Sequence, residues 1–243
     1  MYDAMVYDKE KITLVIPAKN EKANLMRLLP TIPNFIDEII VVDSNSNDGT
    51  REMLGMYSNV VYILQTNRGK GAALQIGIEA AKFEYIICMD ADGSMHTNEI
   101  PHLLELLVEE KNHLVKGSRY LSGGGSGDIT SIRSFGNKTL LWLVNYLFKC
   151  KWTDLAYGYF GLSKSVFRDI QVRHHGSYGN GFEIETLIFC RIQKAGHRIK
   201  EFPSFESKRW TGKSNLKALP VGIRILFTIF FERFRNSQNF NSR

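Results

Sequence analysis

Short apolar runs alternate with amphipathic stretches along the first half of the chain. Residues 12–16, 38–42, 60–64, 85–89 and 114–116 are β-rich runs bounded by polar or turn-forming residues. Between them lie stretches with helical periodicity near 21–29, 48–56, 70–82 and 98–110. This alternation predicts repeated βαβ units, hence an α/β fold with a mostly parallel central sheet flanked by helices. After Gly117 the order loosens into Ser122-Gly123-Gly124-Gly125-Ser126-Gly127, the composition of a mobile loop. Helices are predicted over 135–148 and 181–195, and a strand over 197–202. With no repeat and no internal linker, the pattern predicts one domain over 1–215 and a basic amphipathic helical segment over 216–243.

Composition adds bounds. A chain of 243 residues, 44% hydrophobic and 23% charged, is long enough to bury a sizeable core. Cys88, Cys150 and Cys190 are odd in number and lack Cys-x-x-Cys spacing, so neither a disulfide framework nor a zinc site is expected. The N-terminal residues carry acids where a signal peptide would carry a basic region, which predicts a cytoplasmic chain.

The net charge of +6 is unevenly placed. From Lys208 onward eight basic side chains face Glu232 alone, a balance of +7 that leaves −1 for residues 1–207. Within this tail, 221–231 is too short and interrupted to span a bilayer, which needs about 20 apolar residues. Its periodicity serves equally an interfacial helix on anionic lipid and a terminal helix docked on the domain.

Candidate chemistry sits at the strand ends. Asp90-Ala91-Asp92-Gly93 follows an apolar run directly, so two carboxylates emerge where a parallel strand opens into a crevice. Oxygen ligands of this kind suit Mg2+ or Mn2+, completed by substrate phosphates. The first strand ends at Pro17-Ala18-Lys19-Asn20-Glu21, where Asn20 is placed to cap a helix; the second ends at Asp43-Ser44-Asn45-Ser46-Asn47-Asp48-Gly49-Thr50. For Asp48 and Thr50 a turn with a helix cap is the expectation. His174-His175 reads as surface loop, and Trp142, Tyr146 and Phe148 as helix packing first and as residues near lipid second.

Taken in order, Pro17 to Glu21, Asp43 to Thr50, Asn67-Arg68-Gly69-Lys70-Gly71, Asp90 to Gly93 and Gly117-Ser118-Arg119-Tyr120 resemble the motifs of family 2 glycosyltransferases, within them the dolichyl- and polyprenyl-phosphate sugar synthases. The likeness runs over roughly 10–215 and includes Arg133 with Asn137, Asp154 before Tyr157-Gly158-Tyr159, Glu183-Ile184-Glu185, and Arg209 with Gly212 and Ser214.

The resemblance implies a GT-A fold and inverting transfer of a hexose from a nucleotide sugar, UDP-sugar before GDP-mannose, to a polyprenyl-phosphate acceptor. It implies Pro17, Ala18, Asn20, Glu21, Asp43, Ser44, Asn67, Lys70 and Ala91 around the nucleotide, Asp90 and Asp92 on the metal, and Arg119, Arg133 and Asn137 around an acceptor phosphate. Arg209 lies in a loop expected to close over the donor. An anionic acceptor needs no strong base; a hydroxyl acceptor on a glycan or small molecule would need Asp154, Glu183 or Glu185. Glu183 and Glu185, two apart, cannot share a helix face, so at most one should enter the cleft. Ser94 stands where the mannose synthases commonly place a glutamine ligand, with His96 close behind, and Asp43-Ser44 replaces the paired acids of many relatives. The expected partners are a nucleotide-sugar donor, a lipid-phosphate or glycan acceptor and, for the tail, an anionic membrane surface at which the chain is peripheral; no nucleic acid is expected. A nucleotide-sugar-binding protein without turnover and a nucleotidyltransferase that makes the donor are the other classes this site chemistry admits.

Overall fold

The computed structural model describes residues 10–172, 178–214 and 216–235. In chain order the elements are β1 (Ile12–Ala18), α1 (Lys22–Leu28), β2 (Glu38–Asp43), α2 (Thr50–Leu54), β3 (Val60–Leu64), α3 (Lys70–Ala80), β4 (Tyr85–Cys88) and α4 (Ile100–Leu104). There follow β5 (Leu114–Ser118), β6 (Gly125–Ser126), α5 (Ser131–Phe148), β7 (Phe160–Ser163), α6 (Lys164–Asp169), α7 (Ile184–Lys194), β8 (Ile199–Pro203), β9 (Phe205–Glu206) and α8 (Ala218–Phe234).

Seven strands form the central sheet in the order β3-β2-β1-β4-β7-β5-β8, with β7 antiparallel to both neighbours and the other pairs parallel. β1 and β2 are apolar on both faces because both faces are covered. Alternate side chains divide accordingly: Val15, Ile40 and Val42 pack with the layer of α3, α5, α7 and α8, while Leu14, Ile16, Ile39 and Val41 pack with the layer of α1, α2 and α4. Glu38, buried in β2, is satisfied by Thr13 Oγ1 and the backbone N–H of Lys82, each donating at 2.8 Å.

Several expectations need correction. The strand β7 was not predicted, because a four-residue run containing Gly161 carries too little periodicity to read. The helix expected over 98–110 begins at Ile100 and relaxes after Leu104 into a π turn over Glu105–Glu109, closed by Glu110 N–H donating to Glu105 O at 3.2 Å. Asn20 does not cap α1: it takes a left-handed φ of 56° and its side chain accepts from Asn47 N–H at 2.9 Å. Asp48 reaches across instead, accepting from Lys22 N–H at 3.0 Å with one oxygen and from Thr50 N–H at 3.0 Å with the other. The glycine-rich stretch is pinned, since β6 pairs with β9 and Ser126 Oγ donates to Glu206 at 2.5 Å. His174 and His175 lie outside the described residues.

The C-terminal helix docks on the domain through one face. Ile225, Thr228, Ile229 and Glu232 turn inward. Glu232 and Arg191 of α7 form a fully buried ion pair at 2.9 Å, with Tyr178 Oη donating to the same carboxylate oxygen at 2.9 Å and Arg191 Nη1 donating to the carbonyls of Ile170 and Gln171. The outward face stays apolar and exposed, and Trp142 and Tyr146 of α5, read as packing, are exposed as well. Among the described residues no helix is long and apolar enough to cross a membrane.

Candidate active site

Because β1, β2 and β4 run parallel in register, their C-terminal ends meet at one sheet edge. There they bound a cleft of about 800 Å³, lined by Pro17, Ala18 and Glu21 after β1, Ser44 after β2, Asn67 and Lys70 after β3, and Asp90, Ala91 and Asp92 after β4. Arg133 from α5, Glu185 from α7 and Arg209 complete it.

Two internal cations hold the acids. Lys70 Nζ, at the start of α3, lies 2.7 Å from Asp90 Oδ1 and 2.8 Å from Glu185 Oε1. Burial works to lower the pKa of Lys70, but Asp90 and Glu185 outweigh it and raise it above the usual lysine value. Burial pushes Asp90 up to about 6, with Lys70 opposing and Asp92 reinforcing. The absence of a side chain at Gly158 makes room for this cluster: a Cβ there would stand 2.6 Å from Lys70 Nζ and 3.0 Å from Glu185 Oε1.

Arg209 Nη2 bridges Asp92 Oδ2 at 3.1 Å and Glu21 Oε1 at 3.2 Å. Burial raises the pKa of Glu21, against the pull of Asn24 and Arg209. The loop carrying Arg209 is laid across the strand ends. Trp210 N–H donates to Asp92 O at 3.1 Å, and its indole covers Gly93, where a Cβ would stand 2.3 Å from the ring on a backbone with φ of 78°. The Arg27 guanidinium lies over the Trp210 ring, 4.5 Å from its centroid, and Thr211 Oγ1 donates to Asn24 Oδ1 at 2.8 Å.

Asp90 and Asp92 offer hard oxygen donors, and the described residues contain no cluster of three or more acidic, histidine or cysteine ligands. Mg2+ is habitually held by one or two carboxylates plus substrate phosphates, so this donor set fits an ion shared with a diphosphate. Ser94 contributes its N–H to Asp92 Oδ1 at 3.0 Å, and the His96 ring is engaged with Ser207 Oγ at 2.8 Å.

Other sequence candidates fall outside the cleft. Asp43 is buried behind Ser44, accepting from Ser46 N–H at 3.2 Å, from Ser46 Oγ and from Tyr62 Oη at 3.1 Å. Of the three residues expected around an acceptor phosphate, only Arg133 lines the cleft, while all three line the apolar groove that adjoins it. Arg119 is buried and forked onto Asp154, Nε to Oδ2 at 2.7 Å and Nη2 to Oδ1 at 3.0 Å, with Nη1 on Glu206 at 3.0 Å. Asn137 donates to Asp154 as well, at 3.2 Å. Asp154 is therefore a fully enclosed anchor, removed from the cleft where a base would act. Glu183 precedes α7 and accepts from Gly181 N–H at 3.1 Å, so Glu185 is the one of the pair that enters. The sequence reading missed Glu206 and Asp128, which also line the cleft. Glu206 follows a run without any motif, and only its pairing with β6 brings it in.

The cleft continues into an apolar groove of about 450 Å³ between α5 and α8. Arg133, Ala156, Leu216, Val221 and Ile225 line both. Gly136 of α5 and Gly222 of α8 line the groove with nothing within 4 Å of where a Cβ would stand.

A mostly parallel sheet flanked by helices, with a two-carboxylate strand end facing the cleft, is the architecture of the GT-A glycosyltransferases. The family model for glycosyl transferase family 2 matches residues 13–171, and the chain belongs to that family. Dolichol-phosphate mannosyltransferase of Saccharomyces cerevisiae is 31% identical over 218 residues, covering 84% of this chain and 80% of its own length. Glycosyltransferase AglJ of Haloferax volcanii is 24% identical over 238 residues, covering 96% and 74%. Glucosyl-3-phosphoglycerate synthase from Mycobacterium tuberculosis, solved with Mn2+, UDP and phosphoglyceric acid, shares the fold with a TM-score of 0.74 at 19% identity, covering 95% of this chain and 81% of that one. The same enzyme has been solved with Mg2+ and UDP.

Proposed function

We propose that this glycosyltransferase moves a hexose, with inversion, from a UDP-sugar, or in second place GDP-mannose, to a polyprenyl phosphate, working peripherally at the cytoplasmic face of a membrane. The observation that carries this reading is the unbroken passage from an acidic, phosphate-suited cleft into an apolar groove through Arg133. A prenyl chain attached to the phosphate would have a place in this groove. The resemblance to the yeast dolichol-phosphate enzyme supports the same acceptor class.

In this assignment the nucleotide lies against Pro17, Ala18, Glu21, Ser44 and Asn67, with its diphosphate over Asp90 and Asp92. A divalent ion held by these two carboxylates supplies positive charge where the leaving diphosphate gains negative charge. Arg209 adds a guanidinium from the covering loop, and Lys70 keeps Asp90 and Glu185 compatible at close range. Arg133 orients the acceptor phosphate at the junction of cleft and groove, where its planar donors suit bidentate binding. The acceptor oxygen attacks the anomeric carbon opposite the diphosphate, and the electron pair of the broken bond leaves with the nucleotide. Since the phosphate oxygen is already anionic, no side chain has to take a proton, in keeping with the ion-paired state of Glu185 and the enclosure of Asp154.

Calorimetric titration of UDP and GDP, each with and without Mn2+, against wild type and Asp92→Ala tests the donor half of this reading. Metal-linked UDP binding that is lost with Asp92 is the expected result; metal-independent binding, or none, overturns it.

A further inference from the structure

We propose that the outward faces of α5 and α8 form one docking surface for an anionic lipid bilayer, seating the chain with the mouth of its groove at the headgroups. The proposal takes its purpose from the polyprenyl-phosphate reading but its support from the surface itself. On α8, Ile223, Phe227, Phe230, Phe231 and Phe234 share one outward sector at the helical repeat of about 3.6 residues per turn, and Phe227 is 69% and Phe234 75% exposed. On α5, Phe135 (75%), Trp142 (68%) and Tyr146 (73%) form a second stripe, with the last two rings stacked 6.0 Å apart at 7°. Phe135 and Ile223 both line the groove, so the two stripes flank a single opening. An apolar face of this breadth on a water-exposed chain marks an interaction site.

Charge selects the occupant. Lys138 and Lys149 border the α5 stripe, and Arg224 and Arg233 border the α8 sector on opposite sides. α5 contains no acid, and the single acid of α8, Glu232, is buried against Arg191. Among the described residues of α5 and α8, this face presents apolar rings edged by cations alone, the chemistry of a helix lying in the headgroup boundary of an anionic membrane. A second copy placed face to face would set like charges against each other. Tryptophan and tyrosine are also the residues whose amphipathic rings suit the headgroup level.

The test is co-sedimentation of the full chain with vesicles of phosphatidylcholine, alone or with one quarter phosphatidylglycerol, at low and high salt. Two double variants, Trp142→Ser with Tyr146→Ser and Phe227→Ser with Phe231→Ser, change exposed side chains outside the cleft and groove; circular dichroism and UDP affinity check their folding. Wild type is expected to bind the mixed vesicles about tenfold better than phosphatidylcholine alone, to bind more weakly at high salt, and to lose roughly fivefold or more with either double variant. Absence of vesicle binding, or variants that bind as wild type does, overturns the proposal. So does a dimer in sedimentation velocity that the same variants dissociate while no vesicle binding occurs, which would assign the face to a second copy. Transfer to a short, water-soluble prenyl phosphate without vesicles separates the two claims: transfer without vesicle binding sinks the docking surface alone, and vesicle binding without transfer to any prenyl phosphate sinks the acceptor assignment alone.

Discussion

Arg209 Nη2 sits 3.1 Å from Asp92 Oδ2, while the other oxygen of that carboxylate accepts from Ser94 N–H, so both oxygens of Asp92 are engaged by the protein itself. If Asp92 held a divalent cation, it would have to share its carboxylate with this guanidinium, which a bound diphosphate would draw away. Arg209→Gln is therefore expected to bind Mn2+ without nucleotide about three- to tenfold more tightly than wild type, the scale of one partly exposed charge-assisted contact. It should also lose most of the tightening that UDP confers. Titration of free Mn2+ by electron paramagnetic resonance reads both effects; an unchanged nucleotide-free affinity would show that Arg209 does not compete.

The buried Arg191–Glu232 pair fastens α8 to α7. Glu232→Ala leaves a guanidinium buried without its charge partner and is expected to cost about 3–5 kcal/mol in urea denaturation. Replacing both residues, Arg191→Met with Glu232→Leu, should recover most of that loss. A double variant no more stable than the single one would show that the interaction is not a matter of paired charge.

Asp154 holds Arg119 in a fork and lies outside the cleft. Asp154→Asn is expected to lower stability by roughly 2–4 kcal/mol, as loss of a buried charge partner does, while leaving metal-linked UDP affinity within about twofold. Asp92→Ala should do the reverse, abolishing the metal linkage with little effect on stability. Parallel denaturation and calorimetry distinguish them.

Gly136 lines the groove with open space at its Cβ position. Gly136→Phe fills that space from a helix interior where glycine itself is unfavourable by about 0.5–1 kcal/mol, so the variant should fold. It is expected to raise KM severalfold for long polyprenyl phosphates and hardly at all for a short one, with UDP affinity unchanged. Equal KM values across chain lengths in wild type and variant would remove the lipid from the groove.

Much of the candidate site was legible in the sequence because the residues that line the cleft lie in local motifs at strand ends. Asp90 and Asp92, Glu21 and Lys70 each follow or precede an element whose periodicity is plain, and a parallel sheet brings such ends together. What could not be read was the partner of each charged group. Arg119 and Asp154 carry the residue types of a phosphate clamp and a base, yet 35 positions apart they satisfy one another in the interior. The choice between Glu183 and Glu185 depends on where α7 begins, a boundary that periodicity fixes only to within a few residues. β7 went unread because four residues carry almost no pattern. The tail supported docking and lipid contact equally, and the structure shows why: α8 spends one side on Arg191 and the core while its other side remains apolar and exposed.

The most direct measurement is transfer of radiolabelled hexose from UDP-sugars to polyprenyl phosphate in detergent, with free polyprenol and 3-phosphoglycerate as competing acceptors and the product followed by extraction into organic solvent. The account predicts a metal-dependent, extractable product formed only from the polyprenyl phosphate and lost with Asp92→Ala. Label appearing instead on the water-soluble acceptor, with polyprenyl phosphate left unmodified, would contradict it.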